Sequence, residues 1–432
     1  MSDSPASSKF NARQTEMLFE FASGRPFASS EGVVGEFDQA IEYVRRLVKA
    51  GANPNAMAVD TTGKGRNHTG TPLMIAISTG AEGNWPPVAA LMEVSDLRAQ
   101  RPDDGKTPLM MAIQKADSHS AIFAKGILED CDPEQADNEG QTALDIACKM
   151  APLWTMKNLP IGPLVSALVA RVSLTKKQWG AAVGVAVAAD ETGVLRAALD
   201  AKFDFKDLCL PFPYRGASVP LLGIAAASGS PKAMAVLLEA GCDPMARAEN
   251  GDTALIIACS MGKGVFVECA KMLLPVSDAN AMNLDGETAL MKVVGFGAES
   301  TSQSVQMLAA CSDMNLKNNE GDTALLIAAD QGNADFVKIL APISDLSVAG
   351  GLGGTAFENA TGRADWPTAD ALMAAMSPQD AMSAMLGMTQ RLMPRGAAKV
   401  EAALLQDQVK EAGRENGAAN ADTLGSRRGP RI

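Results

Sequence analysis

A six-residue phrase returns along this 432-residue chain in near-constant register. It reads Thr71-Pro-Leu-Met-Ile-Ala76, Thr107-Pro-Leu-Met-Met-Ala112, Thr142-Ala-Leu-Asp-Ile-Ala147, Val219-Pro-Leu-Leu-Gly-Ile224, Thr253-Ala-Leu-Ile-Ile-Ala258, Thr288-Ala-Leu-Met-Lys-Val293 and Thr323-Ala-Leu-Leu-Ile-Ala328, with a weaker copy at Thr355-Ala-Phe-Glu-Asn-Ala360. Neighbouring copies start 32 to 36 residues apart, except for one interval of 77 between Thr142 and Val219, about two periods. A fixed period of this length marks an array of small units, none of which can bury its apolar face alone. Such a stack grows without splitting into separate cores, so length by itself does not imply several globular domains.

Local chemistry reads each copy as the start of a helix. Gly70, Gly105, Gly140, Gly251, Gly286 and Gly321 sit one or two residues before Thr, where a tight turn needs positive φ. The Thr hydroxyl can cap the first helical turn, and Pro72 and Pro108 stand where a missing N–H costs nothing. Inside the long interval, Thr175-Lys-Lys-Gln178 has capping-box form, and helices to Ala189 and over 193–199 are expected to make a degenerate unit. A terminal unit is expected around 16–21 and 40–48.

The phrase resembles the ankyrin repeat, whose helix-opening motif is Thr-Pro-Leu-His-x-Ala. Ala258-Cys-Ser-Met-Gly262 with Ala270-Lys-Met-Leu-Leu274, and Ala328-Ala-Asp-Gln-Gly332 with Phe336-Val-Lys-Ile-Leu340, are similar to the end of its first helix and the core of its second. Leu237-Leu-Glu-Ala-Gly-Cys-Asp-Pro244 and Leu47-Val-Lys-Ala-Gly-Ala-Asn-Pro54 resemble its closing segment. The resemblance implies an all-α, ankyrin-type helical repeat solenoid of about ten repeats, some degenerate, with a helical C-terminal cap. One departure stands out: Met74, Met110, Asp145, Ile256, Met291 and Leu326 occupy the position of the family's His, and the only histidines, His68 and His119, fall elsewhere. Somewhat less regular hairpins are expected in consequence.

The repeat region is expected over 11–376, irregular around 150–215, with disorder at 1–10, C-terminal helices over 377–412 and a disordered tail at 413–432. The net charge of −12 argues against a nucleic-acid partner. Seven scattered cysteines without a C-x-x-C pair fit a reducing compartment, and no signal peptide or membrane-spanning run is evident, so the expected place is the cytoplasm.

The resemblance implies recognition of another protein, by a scaffold, adaptor or inhibitor. Two surfaces are candidates. Residues 203–215 gather Phe203, Phe205, Phe212 and Tyr214, with Arg215, in a chain only 4% aromatic, and aromatic and Arg clusters are enriched at interface hot spots. The same rings can instead fold back over the imperfect unit at 175–200. A row of turn tips is the second surface: Arg101, Asp103, Asp104 and Lys106; Asp137, Asn138 and Glu139; Arg247 and Glu249; Asn283 and Asp285; Lys317, Asn318 and Asn319. Insertions at 59–69, 151–160 and 295–303 are expected to lengthen turns or loops. Ser377-Pro378 opens a Met-rich helix with Met382, Met385, Leu386, Leu392 and Met393 at helical spacing, either a cap on the last repeat or a contact face between copies; the oligomeric state stays open.

Catalytic signals are thin. Gly105-Lys106-Thr107 lacks the earlier glycine of a phosphate-binding loop, and the glycine run 350–354 lacks a surrounding strand–helix unit. Neither cofactor nor metal site is expected, and no catalytic residue is nominated. Two alternatives remain: a microbial or phage effector-type protein engaging a foreign target, and an enzyme or enzyme subunit with its site in the irregular middle.

Overall fold

The computed structural model describes residues 11–23, 37–58, 69–79, 86–156, 159–211, 218–261, 264–296, 302–351 and 353–392. The chain divides into two compact units, Met1–Ala258 with Gly264–Ser277, and Cys259–Lys263 with Asp278–Ile432.

The first unit runs α1 (Ala12–Ala22), α2 (Phe37–Lys49), α3 (Pro72–Thr79), α4 (Pro86–Met92), α5 (Pro108–Lys115), α6 (Ser118–Asp130), α7 (Ala143–Met156), α8 (Ile161–Val169), α9 (Lys176–Ala188) and α10 (Thr192–Asp200). A short antiparallel ribbon follows, β1 (Cys209–Pro211) paired with β2 (Ser218–Pro220). Then come α11 (Leu221–Ser228), α12 (Pro231–Glu239), α13 (Ala254–Cys259, its last residue in the other unit) and α14 (Gly264–Leu273). The second unit holds α15 (Ala289–Gly295), α16 (Ser302–Ala309), α17 (Ala324–Asp330), α18 (Ala334–Leu340), α19 (Ala356–Gly362), α20 (Trp366–Ala375) and α21 (Pro378–Leu392).

Odd-numbered helices up to α19 open with the recurring phrase or its degenerate equivalent, and even-numbered ones lean against them. The first helices are apolar on nearly every side because neighbours flank them: all of Pro108–Ile113 in α5 is buried. The second helices keep an apolar stripe only, as Ala40, Val44 and Leu47 in α2 or Val194, Leu195 and Ala198 in α10. Each fully buried Leu, Ile or Met of this core stabilises by about 2 kcal/mol. Stacking runs on without interruption through the degenerate stretch, with α7 against α9 and α9 against α11.

The helix starts follow the sequence reading. Hydroxyls of Thr71, Thr107, Thr253, Thr288 and Thr323 each accept the backbone N–H three residues on, at 3.3–3.4 Å. Thr175 and Gln178 form a reciprocal capping box. Where Val219 replaces Thr, Pro220 precedes α11 with no side-chain cap.

The position without His is either core or cap. Met74, Met110, Ile256, Met291 and Leu326 are buried there. Asp145 instead accepts from the Thr142 amide at 2.9 Å, and Glu358 from the Thr355 amide at 2.9 Å. Three of the hairpins share one regular pattern without His. Asp137, Asn283 and Asn318 each use one side-chain oxygen to accept the amides two and four residues on, giving three turns of one pattern.

One further expectation needs correction. Residues 151–156 are helix, not a lengthened loop: α7 passes through Pro152, because Ala143, Leu144, Ala147 and Ala151 extend its buried face and Thr155 bonds back to the Ala151 carbonyl at 2.9 Å. The glycine run at 350–354 forms a hairpin lying on its predecessor: a Cβ at Gly351 would sit 1.6 Å from the Glu320 carbonyl oxygen. Only glycine permits that approach.

Candidate protein-binding surfaces

The hairpins are built as a linked row. In the first unit, Arg101 and Lys106 close one turn, with the Arg101 amide on the Lys106 carbonyl at 3.0 Å and the Gly105 amide on the Arg101 carbonyl at 2.9 Å. Arg101 is 8% exposed and its guanidinium forks onto Asp104, with Lys106 Nζ 3.5 Å from the same carboxylate. Partial burial pushes the Asp104 carboxyl up, but Arg101, the Lys106 amide and the Lys106 ammonium outweigh it and hold the group at about 2. The next turn leans onto this one. Asn138 donates its amide to the Asp104 carbonyl at 2.9 Å and its Nδ2 to the Asp103 carbonyl at 3.3 Å. The second unit repeats the device, with Asn319 donating to the carbonyls of Asp285 at 3.0 Å and Leu284 at 2.8 Å.

These bonds sort the tip residues. Asp103, Asn138 and Arg247 are exposed, Lys106 and Asn318 half-buried. Arg101 and Asn283 belong to the turn frameworks instead: Asn283 is 8% exposed and spends its oxygen on the amides of Asp285 and Glu287. Both are therefore corrections to the list of surface candidates. Gly105-Lys106-Thr107 is fully used by this turn and the cap of α5, Lys106 Nζ donating to Gln114 at 3.0 Å.

The aromatic finger resolves in part. Phe203 stacks on Trp179 of α9, centroids 6.0 Å apart and planes 20° from parallel, and Phe205 tilts against Phe203 at 6.4 Å. Phe205 is 2% exposed and so is a core residue, a third correction, whereas Phe203 is half-buried. Through Trp179 these two rings fold back over the unit at 175–200. Phe212, Tyr214 and Arg215 lie outside the described residues, as do His68, most of the 59–69 insertion, residues 297–301 and everything beyond 392.

The ribbon beside the finger completes a surface that sequence did not single out. Cys148, Ala151 and Thr155 of α7, Ala181, Gly184 and Val185 of α9, and Ile224 of α11 line a groove of about 310 Å³, walled by Leu210 and Pro211 of β1. Leu210 approaches α9 at its glycine, where an added Cβ at Gly184 would meet Leu210 Cδ1 at 2.4 Å. Among the described residues the lining holds no carboxylate and no histidine. Burial first, then the Asp145 carboxylate, push the Cys148 thiol up to about 12, which removes it as a nucleophile near neutral pH. The available signal was the run of small residues at helical spacing on α7 and α9, which periodicity alone assigns to close helix packing.

Among the described residues no group of His, Cys, Asp and Glu gathers as a metal site, and no helix is long and apolar enough to cross a membrane.

A family model for ankyrin repeats matches residues 222–301 and 263–349. A search of curated proteins returns no match. Among solved structures, an ankyrin repeat domain from Acinetobacter baumannii AYE is similar over 45% of this chain and 96% of its own, at 24% identity and a TM-score of 0.38. The ankyrin repeat domain of Bcl-3, an IkappaB protein family member, is similar over 45% of this chain and 86% of its own, at 22% identity and a TM-score of 0.39. Family match, threonine-capped helix pairs and linked hairpins agree: the chain carries ankyrin repeats, matched by the family model over residues 222–349.

Proposed function

We propose that the protein is a non-catalytic binding module, a scaffold, adaptor or inhibitor that recognises another protein through the first unit. Ankyrin repeats are in general protein–protein interaction modules. The observation carrying this reading is the apolar groove between α7, α9 and α11, walled by Leu210 and Pro211 of β1, with Thr155 and Ser228 among its few polar lining residues. A concave apolar surface with polar groups at its border is what a partner's aliphatic or aromatic anchor requires. Rigid helices on three sides mean little ordering is lost on binding. Phe212, Tyr214 and Arg215 continue from the groove's wall in sequence and are proposed as contact residues with it. The described lining of the groove, without carboxylate or histidine and with an unreactive thiol, gives the enzymatic alternative no support.

The test is affinity capture from the cell that makes the protein, quantified by mass spectrometry, comparing wild type with Ala188→Trp and with Phe212→Ala/Tyr214→Ala. Ala188 lines the same groove, and an indole there fills it. A partner retained by wild type and lost by a folded Ala188→Trp variant supports the reading; identical capture by all three proteins sinks it.

A further inference from the structure

A second groove lies wholly within the other unit, and its chemistry differs. It measures about 560 Å³ between α19, the loop at 344–347 and α21. Leu346, Phe357, Met376 and Met388 supply its apolar surface, and Asp345, Glu358 and Asp380 its acidic rim. Gly362 on α19 and Gly387 on α21 face open space from opposite walls: a Cβ built on either meets nothing within 4 Å.

Two of the rim carboxylates are held by serine donors. Asp345 accepts from the Ser347 amide at 2.9 Å and hydroxyl at 2.6 Å, and Asp380 accepts from the Ser377 hydroxyl at 2.6 Å. These donors are neutral, so they orient each carboxylate without cancelling its charge. No Lys or Arg is among the described residues lining the groove. The surroundings deepen the field: residues 278–392 contain 14 acidic and five basic side chains, and Lys292, Lys338 and Arg363 are paired with Glu287, Asp335 and Asp330. Low-dielectric walls focus such a potential into a cleft.

The acidic groups are spread around an apolar floor and do not converge on a point; no described cluster is arranged to hold a metal ion. A single small cation would leave the floor unfilled. A chain with several cationic groups and apolar side chains between them satisfies both.

We propose that this groove binds a basic, amphipathic segment of a partner protein, with Lys or Arg side chains reaching Asp345 and Asp380 and an aliphatic side chain seated on Phe357 and Met388 between Gly362 and Gly387. The proposal shares the view of the chain as a binding module but uses no residue of the first unit's groove, so either can fail alone. α21 then acts as one jaw of a binding site as well as a cover for α19.

The test uses the full-length protein and a fluorescent peptide alternating Arg and Leu, with Glu-for-Arg and Ser-for-Leu versions beside it, followed by anisotropy at low and moderate salt. The Arg/Leu peptide should bind, the Glu version should not, and the Ser version should bind at least about tenfold more weakly. D345N/D380N should weaken the Arg/Leu peptide about tenfold, with a shallower salt dependence. Gly387→Phe should block binding by filling the groove, while Gly387→Ala, which suits the middle of a helix, should leave affinity and far-UV circular dichroism unchanged. Equal weakening by E129Q/D130N, a pair of exposed carboxylates in the first unit, would overturn the proposal, because net charge alone would then explain the binding. So would unchanged binding by Gly387→Phe, or tighter binding when Arg427, Arg428 and Arg431 are replaced by Ala, which would make the chain's own basic terminus the occupant.

Discussion

Gly105 and Gly140 are turn glycines of neighbouring hairpins with nearly equal φ, +74° and +77°, yet alanine should be tolerated very differently at the two. The backbone strain is common to both. An alanine held in the left-handed region costs about 1–2 kcal/mol, reduced by about 0.4–1 kcal/mol because alanine stiffens the unfolded chain. Gly140→Ala adds nothing to this, since its Cβ would meet no atom within 4 Å. At Gly105 the Cβ would lie 2.8 Å from the Asn138 amide nitrogen and 2.5 Å from its Oδ1. Backbone cannot swing aside as a side chain can, so the second hairpin must lift. The bonds from Asn138 to the carbonyls of Asp104 and Asp103 are then lost, at about 1 kcal/mol each. The expected destabilisation is therefore about 1 kcal/mol for Gly140→Ala and about 3 kcal/mol for Gly105→Ala. Urea denaturation measures the totals. Native-state hydrogen exchange measures the local part: the Asn138 amide should exchange about thirtyfold faster in Gly105→Ala than in Gly140→Ala. Equal destabilisation by the two variants, or an unchanged Asn138 amide, would refute the idea that adjacent hairpins are joined through these bonds. Gly286→Ala should repeat the large effect in the second unit, where its Cβ would sit 2.9 Å from the Asn319 amide nitrogen.

Lys202 stands with φ +56° in a helix-ending motif, its amide on the Leu199 carbonyl and the Phe203 amide on Ala198, the place Gly51 and Gly241 take after α2 and α12; Lys202→Gly should raise stability by about 1 kcal/mol by urea midpoint. The Asp104 carboxyl is held at about 2 from an ordinary value of 3.8, so its contribution is complete above pH 4 and fades as pH falls toward 2. Asp104→Asn should flatten the acid limb of a stability–pH curve over that range, and an unaltered limb would place the acid-labile group elsewhere. Brief alkylation of the native protein at pH 8 should modify the exposed Cys209 and Cys311 and spare Cys148 and Cys259, whose thiols burial pushes up to about 12; peptide mapping before and after unfolding reads the difference.

The architecture was legible because its signals are local and recur. A Thr cap, a turn glycine and an apolar run after them carry the same physical meaning wherever they appear, and Thr175–Gln178 showed the degenerate unit before any coordinate did. The site residues were legible only by type. Phe203 and Phe205 were rightly placed together, but whether a ring faces solvent depends on what stands across from it: Phe203 lies on Trp179 and stays half-buried, while Phe205, tilted against Phe203, is buried. Arg101 and Asp103 are two residues apart in one turn and look equally available, yet Arg101 folds onto Asp104 while Asp103 stays in water.

By itself, then, the sequence determined the period, the helix starts, the resemblance to ankyrin repeats and the expectation of a binding role. Only tertiary structure decided where a partner could be received. The first unit's groove joins three helices drawn from residues 143–228 to a ribbon, and the acidic groove brings Asp345, Glu358 and Asp380 to one rim from three different elements. Periodic patterns report which face of an element is buried; they carry no information about the gap left between elements that meet across long stretches of chain.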